Sequence, residues 1–72
     1  MPPGYSSSKP HNDAQNQAEL ARQTAVASAT TQAQTNTAAI NYHRAVAKSA
    51  IANGVSPEVN LTALRSLGQT GI

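Results

Sequence analysis

The sequence predicts an all-α protein: one long alanine-rich helix, a Gly/Pro turn, a short C-terminal helix, and an extended arm in front. Three observations predict it. From Asn12 to Asn53 there is neither glycine nor proline, so nothing in that run forces a helix to stop. Alanine, the strongest helix former, occurs fourteen times in the 72 residues. The residues that break helices gather on either side, in Pro2, Pro3, Gly4 and Pro10 before the run and in Gly54 and Pro57 after it.

Residues 1–11 form the arm. They hold three of the four prolines, the run Ser6-Ser7-Ser8 and Tyr5, a mixture that favours extended, polyproline-like backbone and buries nothing of its own. The long helix is placed at 12–53. Asn12 is its expected N-cap, Asp13 lies in the first turn, and Gln15 at the third position completes a capping box. Gly54 stands where a left-handed residue closes a helix. At 1.5 Å per residue such a helix is about 60 Å long. Its weakest stretch is Thr30 to Thr37, where four threonines restrict side-chain rotamers, and a break or local fray there would turn the one helix into two. Residues 54–56 are the turn. Ser56 as N-cap, Pro57 at the first position and Glu58 in the first turn then start a second helix at 57–67. Leu61, Leu64 and Leu67 give it an apolar face, and this helix either folds back on the first or inserts into a neighbour. Gly68 ends it, leaving 68–72 as a tail.

A helix longer than the usual globular range points to a coiled coil, a repeat, or a subunit laid against others. Ala18, Ala29, Ile40 and Ile51 recur every eleven residues, and Ala14, Ala25, Asn36 and Ala47 form a parallel series at the same spacing. Eleven residues make nearly three whole turns, so both series fall in one narrow stripe along a straight helix. Alanines in that stripe permit close approach of helix axes. Asn36 is a single polar residue in the seam, a device that fixes register and oligomer state. Beyond the arm the chain carries only twelve larger apolar side chains, from Leu20 to Ile72, and no cysteine to staple it. A chain this small with so thin an apolar inventory is expected to complete its fold by oligomerisation or by packing on a partner.

The same inventory argues against catalysis. His11 and His43 are far apart, the carboxylates number three, and no glycine-rich phosphate loop is present. No cofactor or metal is therefore expected, and the protein is read as a non-enzyme. The net charge of +2 is spread along the chain rather than gathered in a stripe, which gives no strong nucleic-acid signal. No apolar run approaches the roughly 20 residues of a spanning helix. The start also lacks the apolar stretch of a secretory signal, so a virion or intracellular setting is expected, with signal-independent export compatible.

Three smaller features are candidates for contact. His43, Arg44 and Lys48 are the one local positive cluster, with Arg44 and Lys48 a turn apart, suited to a solvated face or to an acidic or phosphate-bearing partner. Glu19 and Arg22 are spaced as a helix surface pair, and the sequon Asn60-Leu61-Thr62 is discounted because it falls inside the second helix. Pro2-Pro3-Gly4-Tyr5 matches the Pro-Pro-x-Tyr pattern that WW domains bind as a polyproline helix. The arm is read first as lying across a neighbouring subunit with Tyr5 as its anchor, and WW-type docking is the alternative.

Some resemblances are organisational. A long helix, a Gly/Pro turn and a shorter helix in so small a chain is similar to the needle and inner-rod subunits of type III secretion systems, which polymerise as helical hairpins. Helices rich in Ala, Gln, Asn and Thr with few charges resemble small internal or portal-associated phage proteins. Thr24 and Thr35, eleven apart on an alanine-rich helix, resemble type I antifreeze proteins, although Asp13 and Val46 occupy the adjoining positions of that series. The expectation is a non-enzymatic assembly subunit, first of a virion, packing against ring or tube proteins. A secretion filament is the alternative, and an adaptor docking through its arm or an ice-binding helix are readings of another class.

Overall fold

The computed structural model describes residues 8–72. They form α1 (Lys9–Ser28), α2 (Gln32–Ala52) and α3 (Glu58–Ser66), with no strand among the described residues. The all-α expectation holds. Pro2, Pro3 and Tyr5, with the arm readings built on them, lie outside the described residues.

The single helix at 12–53 is corrected to two. Ala29 ends α1 with extended backbone at ψ 136°, and Thr31 is extended at φ −134°, ψ 158°. The cause is local chemistry. The Thr31 hydroxyl accepts the Gln34 amide N–H at 3.1 Å, while the Gln34 side-chain oxygen reaches back to the Thr30 N–H at 2.7 Å and its hydroxyl at 3.1 Å. That is a capping box shifted by one residue at its return bond, and it starts a new helix where branched threonines already favour extended backbone. The two helices turn back on each other as an antiparallel hairpin, with Ser8 and His11 of the α1 end reaching Asn53 and Ser49 of the α2 end. The longest dimension is 37 Å instead of the expected 60 Å rod.

The helix start also moves. Ser8, rather than Asn12, caps α1, accepting the His11 N–H at 3.3 Å. Pro10 sits in the first turn, where its missing N–H leaves no intrahelical bond unmade. Asn12 is already helical, its N–H donating to the Ser8 carbonyl at 3.0 Å. The arm boundary at residue 11 is therefore too late.

The glycine stops are where the sequence puts them. Gly54 has φ +69°, and the Val55 N–H returns to the Ala50 carbonyl at 2.8 Å. Gly68 repeats the device at φ +81°, with the Gln69 N–H on the Leu64 carbonyl at 2.9 Å. These are Schellman closures, and a left-handed residue at that point is what glycine adopts without a Cβ penalty. Pro57, rather than Ser56, stands at the N-cap of α3 with no side-chain cap bond, although the Ser56 hydroxyl accepts the Glu58 N–H at 3.4 Å; the regular helix begins at Glu58 and ends at Ser66, one residue inside the expected 57–67 at each end.

α3 folds back, the first of the two alternatives left open by the sequence. It packs on α2, as does α1, whereas α1 and α3 make no contact among the described residues. The core is small: Ala18, Ala38, Val46, Ala47, Ala50 and Leu64, with the polar His11 beside it. Leu64 is the one large aliphatic chain from α3 that is fully covered, at 2% exposure, while Leu61 and Leu67 are half-buried. Burying a leucine contributes about 1.5–3 kcal/mol and an alanine methyl much less, so α3 supplies a disproportionate share of the cohesion.

Candidate functional site

The eleven-residue stripe does not survive the hairpin as one surface. Ala14, Ala18, Ala25 and Ala29 fall on or beside α1 and Asn36, Ile40, Ala47 and Ile51 on α2, which runs the other way. Ala18 and Ala47 are buried; Ala14, Ala29 and Ile40 are half-buried; Ala25, Asn36 and Ile51 are exposed. Asn36 is held along its own helix by the Gln32 amide, which donates to its Oδ1 at 2.9 Å.

What the alanines line instead is an open groove between α1 and α2. It encloses about 290 Å³ between Ala18, Ala21, Arg22 and Ala25 on one wall and Ala38, Asn41, Tyr42 and Ala45 on the other. Residues three and four apart on each helix share a face, which is why both walls show this spacing. One polar feature crosses the groove. The Arg22 guanidinium carbon lies 5.8 Å from the centre of the Tyr42 ring, within cation–π reach. Glu19 holds Arg22 from behind, accepting its Nε–H at 3.0 Å and an N–H of the adjoining terminal nitrogen, and also accepts the Gln23 amide at 3.2 Å. The Arg22 hydrogen bond, followed by that of Gln23, keeps the Glu19 carboxyl below the usual glutamate range, and the same bond raises the Arg22 guanidinium. A shallower hollow continues toward the loop between Ala25, Ser28, Ala29, Gln34 and Thr37.

The cluster His43, Arg44 and Lys48 is divided by α3. His43 Nδ1 and Asn60 Oδ1 are 2.9 Å apart, and Arg44 donates to Gln69 Oε1 at 2.9 Å. Both bonds clamp α3 and its tail to α2. Neither partner carries a charge, so the Arg44 cation is not neutralised by them, and Lys48 is exposed further along. The Tyr42 and His43 rings meet edge-on with centres 5.0 Å apart, linking the groove on one flank of α2 to the α3 clamp on the other.

Sequence reasoning missed a polar latch at the far end. The Ser8 hydroxyl donates to Asn53 Oδ1 at 3.0 Å, Asn53 Nδ2 donates to the Ser49 carbonyl at 2.8 Å, and the Ser49 hydroxyl lies 2.8 Å from His11 Nδ1. His11, expected in the arm, is 2% exposed. The signal was present in Ser8-Lys9-Pro10, a capping serine followed by a first-turn proline.

Among the described residues no three of His, Cys, Asp and Glu are grouped to hold a metal ion, and no helix is long and apolar enough to cross a membrane. Thr24 and Thr35 sit on different helices, each hydroxyl donating to a carbonyl one turn back, so their spacing builds no threonine row along a single helix. No family model, curated protein or solved structure matches the chain.

Proposed function

We propose that this protein is a non-enzymatic structural subunit whose fold is completed inside a larger assembly, with a virion and its ring or tube proteins as the setting. The reading is supported above all by where the large apolar side chains lie. Leu20, Ile51 and Val59 are 64%, 55% and 81% exposed, while four of the six buried apolar residues are alanines. A partner that covered the three would add an apolar contribution comparable to that of the core itself. The alanine-walled groove beside Ala25 and Ala29 adds a surface on which a helix backbone can approach closely. In the same reading Ala25, Ala29 and Ile51 carry contacts between subunits, and Arg44 and Lys48 supply the rim charge.

Three measurements test it. Sedimentation and circular dichroism over a wide concentration range are expected to show mass and helicity rising together. Ala29→Leu is expected to reduce that assembly by overpacking, at about 1–3 kcal/mol per site. Mass spectrometry of particles purified from the source is expected to find the chain at fixed stoichiometry; its absence from them removes the virion setting.

A secretion filament is the second reading. It is favoured by the antiparallel α1–α2 hairpin, the form in which needle and rod subunits polymerise. Open-ended filaments in electron micrographs of the concentrated protein would favour it over a subunit of closed rings.

A further inference from the structure

Asn53-Gly54 is the one Asn-Gly pair in the sequence, and it lies at the end of the hairpin away from the α1–α2 loop, beside the start of α1. We propose that this pair is a site of spontaneous deamidation, a modification that the folded hairpin restrains and that, once made, weakens the C-terminal closure of α2.

The chemistry requires only water. The Gly54 backbone nitrogen, after losing its proton to solvent base, attacks the Asn53 side-chain carbonyl carbon. A carbon–nitrogen bond forms, the bond to the side-chain nitrogen breaks, and ammonia leaves with protons returned by water. Water then opens the five-membered imide at either carbonyl, giving an aspartyl or an isoaspartyl residue at position 53. Glycine as the following residue is the most permissive for ring closure, because it has no Cβ to obstruct the attack.

The folded structure opposes each step. The Asn53 amide is held on both sides, with Nδ2 donating to the Ser49 carbonyl at 2.8 Å and to its hydroxyl at 3.4 Å, and with Oδ1 accepting the Ser8 hydroxyl at 3.0 Å. The attacking nitrogen is engaged as well, its N–H donating to the Ile51 carbonyl at 3.4 Å in the Schellman closure. Ser8 is the N-cap of α1, so one of the bonds that restrain the reactive amide is also a bond between the two helices. Reaction therefore requires local opening at this end, and its rate follows the open population.

The product keeps only part of the latch, since an aspartyl oxygen can still accept the Ser8 hydroxyl but the bond to the Ser49 carbonyl is lost. A carboxylate has no N–H to give the Ser49 carbonyl, and its negative charge stands at the C-terminal end of α2, the end of the helix dipole that disfavours it. The isoaspartyl form also lengthens the backbone by one methylene beside Gly54, whose φ of +69° sets the turn into α3.

The test is prolonged incubation of the full chain at neutral pH, read by peptide mapping with mass spectrometry and by isoaspartyl methyltransferase labelling. Wild type, Ser8→Ala and Ser49→Ala are compared folded, and wild type is also incubated unfolded in urea. Conversion is expected at position 53 ahead of every other asparagine, slowest in folded wild type. Ser8→Ala is expected to react roughly two- to tenfold faster, the population change produced by losing one such hydrogen bond, with Ser49→Ala also faster than wild type and the urea sample fastest. Asn53→Asp, made directly, is expected to melt below wild type. Equal rates in folded and urea-unfolded wild type, no acceleration in either serine variant, no conversion even in urea, or an unchanged melting temperature for Asn53→Asp would each overturn the proposal.

Discussion

Where α2 turns toward α3, Ala47 and Ala50 are 0% and 1% exposed, whereas Ala21 and Ala25 near the α1–α2 loop lie open to solvent. Both regions set small side chains of α1 and α2 beside each other. They differ in what lies over them. The α3 end has a third helix with Leu64 pressed onto α2, two side-chain clamps from His43 and Arg44, and the Ser8–Asn53–Ser49–His11 latch. The loop end has only two helices and a groove of about 290 Å³. Two helices suffice to bury Ala18 and Ala38 but leave Ala21 and Ala25 open, and covering those needs a third layer. At one end this chain supplies that layer, and at the other it leaves the place open.

The sharpest way to break this contrast is to remove the third layer. Leu64→Ala is expected to cost about 2–5 kcal/mol, enough to unfold much of so small a protein in a thermal melt followed by circular dichroism. Retention of most of the melting temperature would show that α3 is not what closes that end. Next comes a matched pair of enlargements. Ala47→Leu is expected to destabilise by about 1–3 kcal/mol, while Ala25→Leu changes monomer stability by no more than about 0.5 kcal/mol. Equal losses in denaturant titrations would erase the difference between the ends. Thr31→Ala, which removes the α2 cap at the open end, is expected to cost about 0.5–2 kcal/mol, with hydrogen exchange rising first at Thr30 to Gln34.

The smallest effect is that of acid. Glu19 is held below its ordinary value by Arg22, so its contribution is present above the normal glutamate range near 4.3 and is lost as pH falls through the lower folded value. Because the pair is exposed, Glu19→Gln is expected to flatten only slightly the fall in melting temperature below pH 4. A large change on that substitution would mean that the Arg22–Tyr42 bridge contributes to holding the groove walls together.

Much of the fold was legible. The helical class, both glycine stops and the apolar α3 rest on short-range rules that act within a turn or two of chain. The break at Ala29 to Thr31 rests on such a rule too, since Thr31-Gln32-Ala33-Gln34 spells a capping box. It was obscured by the eleven-residue spacing of Ala18, Ala29 and Ile40, which looks continuous across the gap. The start at Ser8 was hidden in the same way by the alternative cap at Asn12. The groove was not legible at all. Arg22 and Tyr42 lie on different helices and meet only once the break position sets the hairpin's register. Ile51 was expected in a packing seam and lies outside, because the buried face of α2 is fixed jointly by α1 and α3 and turns toward Val46, Ala47 and Ala50.

The packing order has a kinetic consequence. α1 touches α2 and α2 touches α3, with no α1–α3 contact among the described residues, so each interface joins neighbours in the chain. Folding therefore closes only short loops, and topologies of that kind reach the native state in microseconds to milliseconds. During synthesis the α1–α2 hairpin can form before α3 is complete, and α3 then docks onto a preformed α2 without any earlier contact having to break.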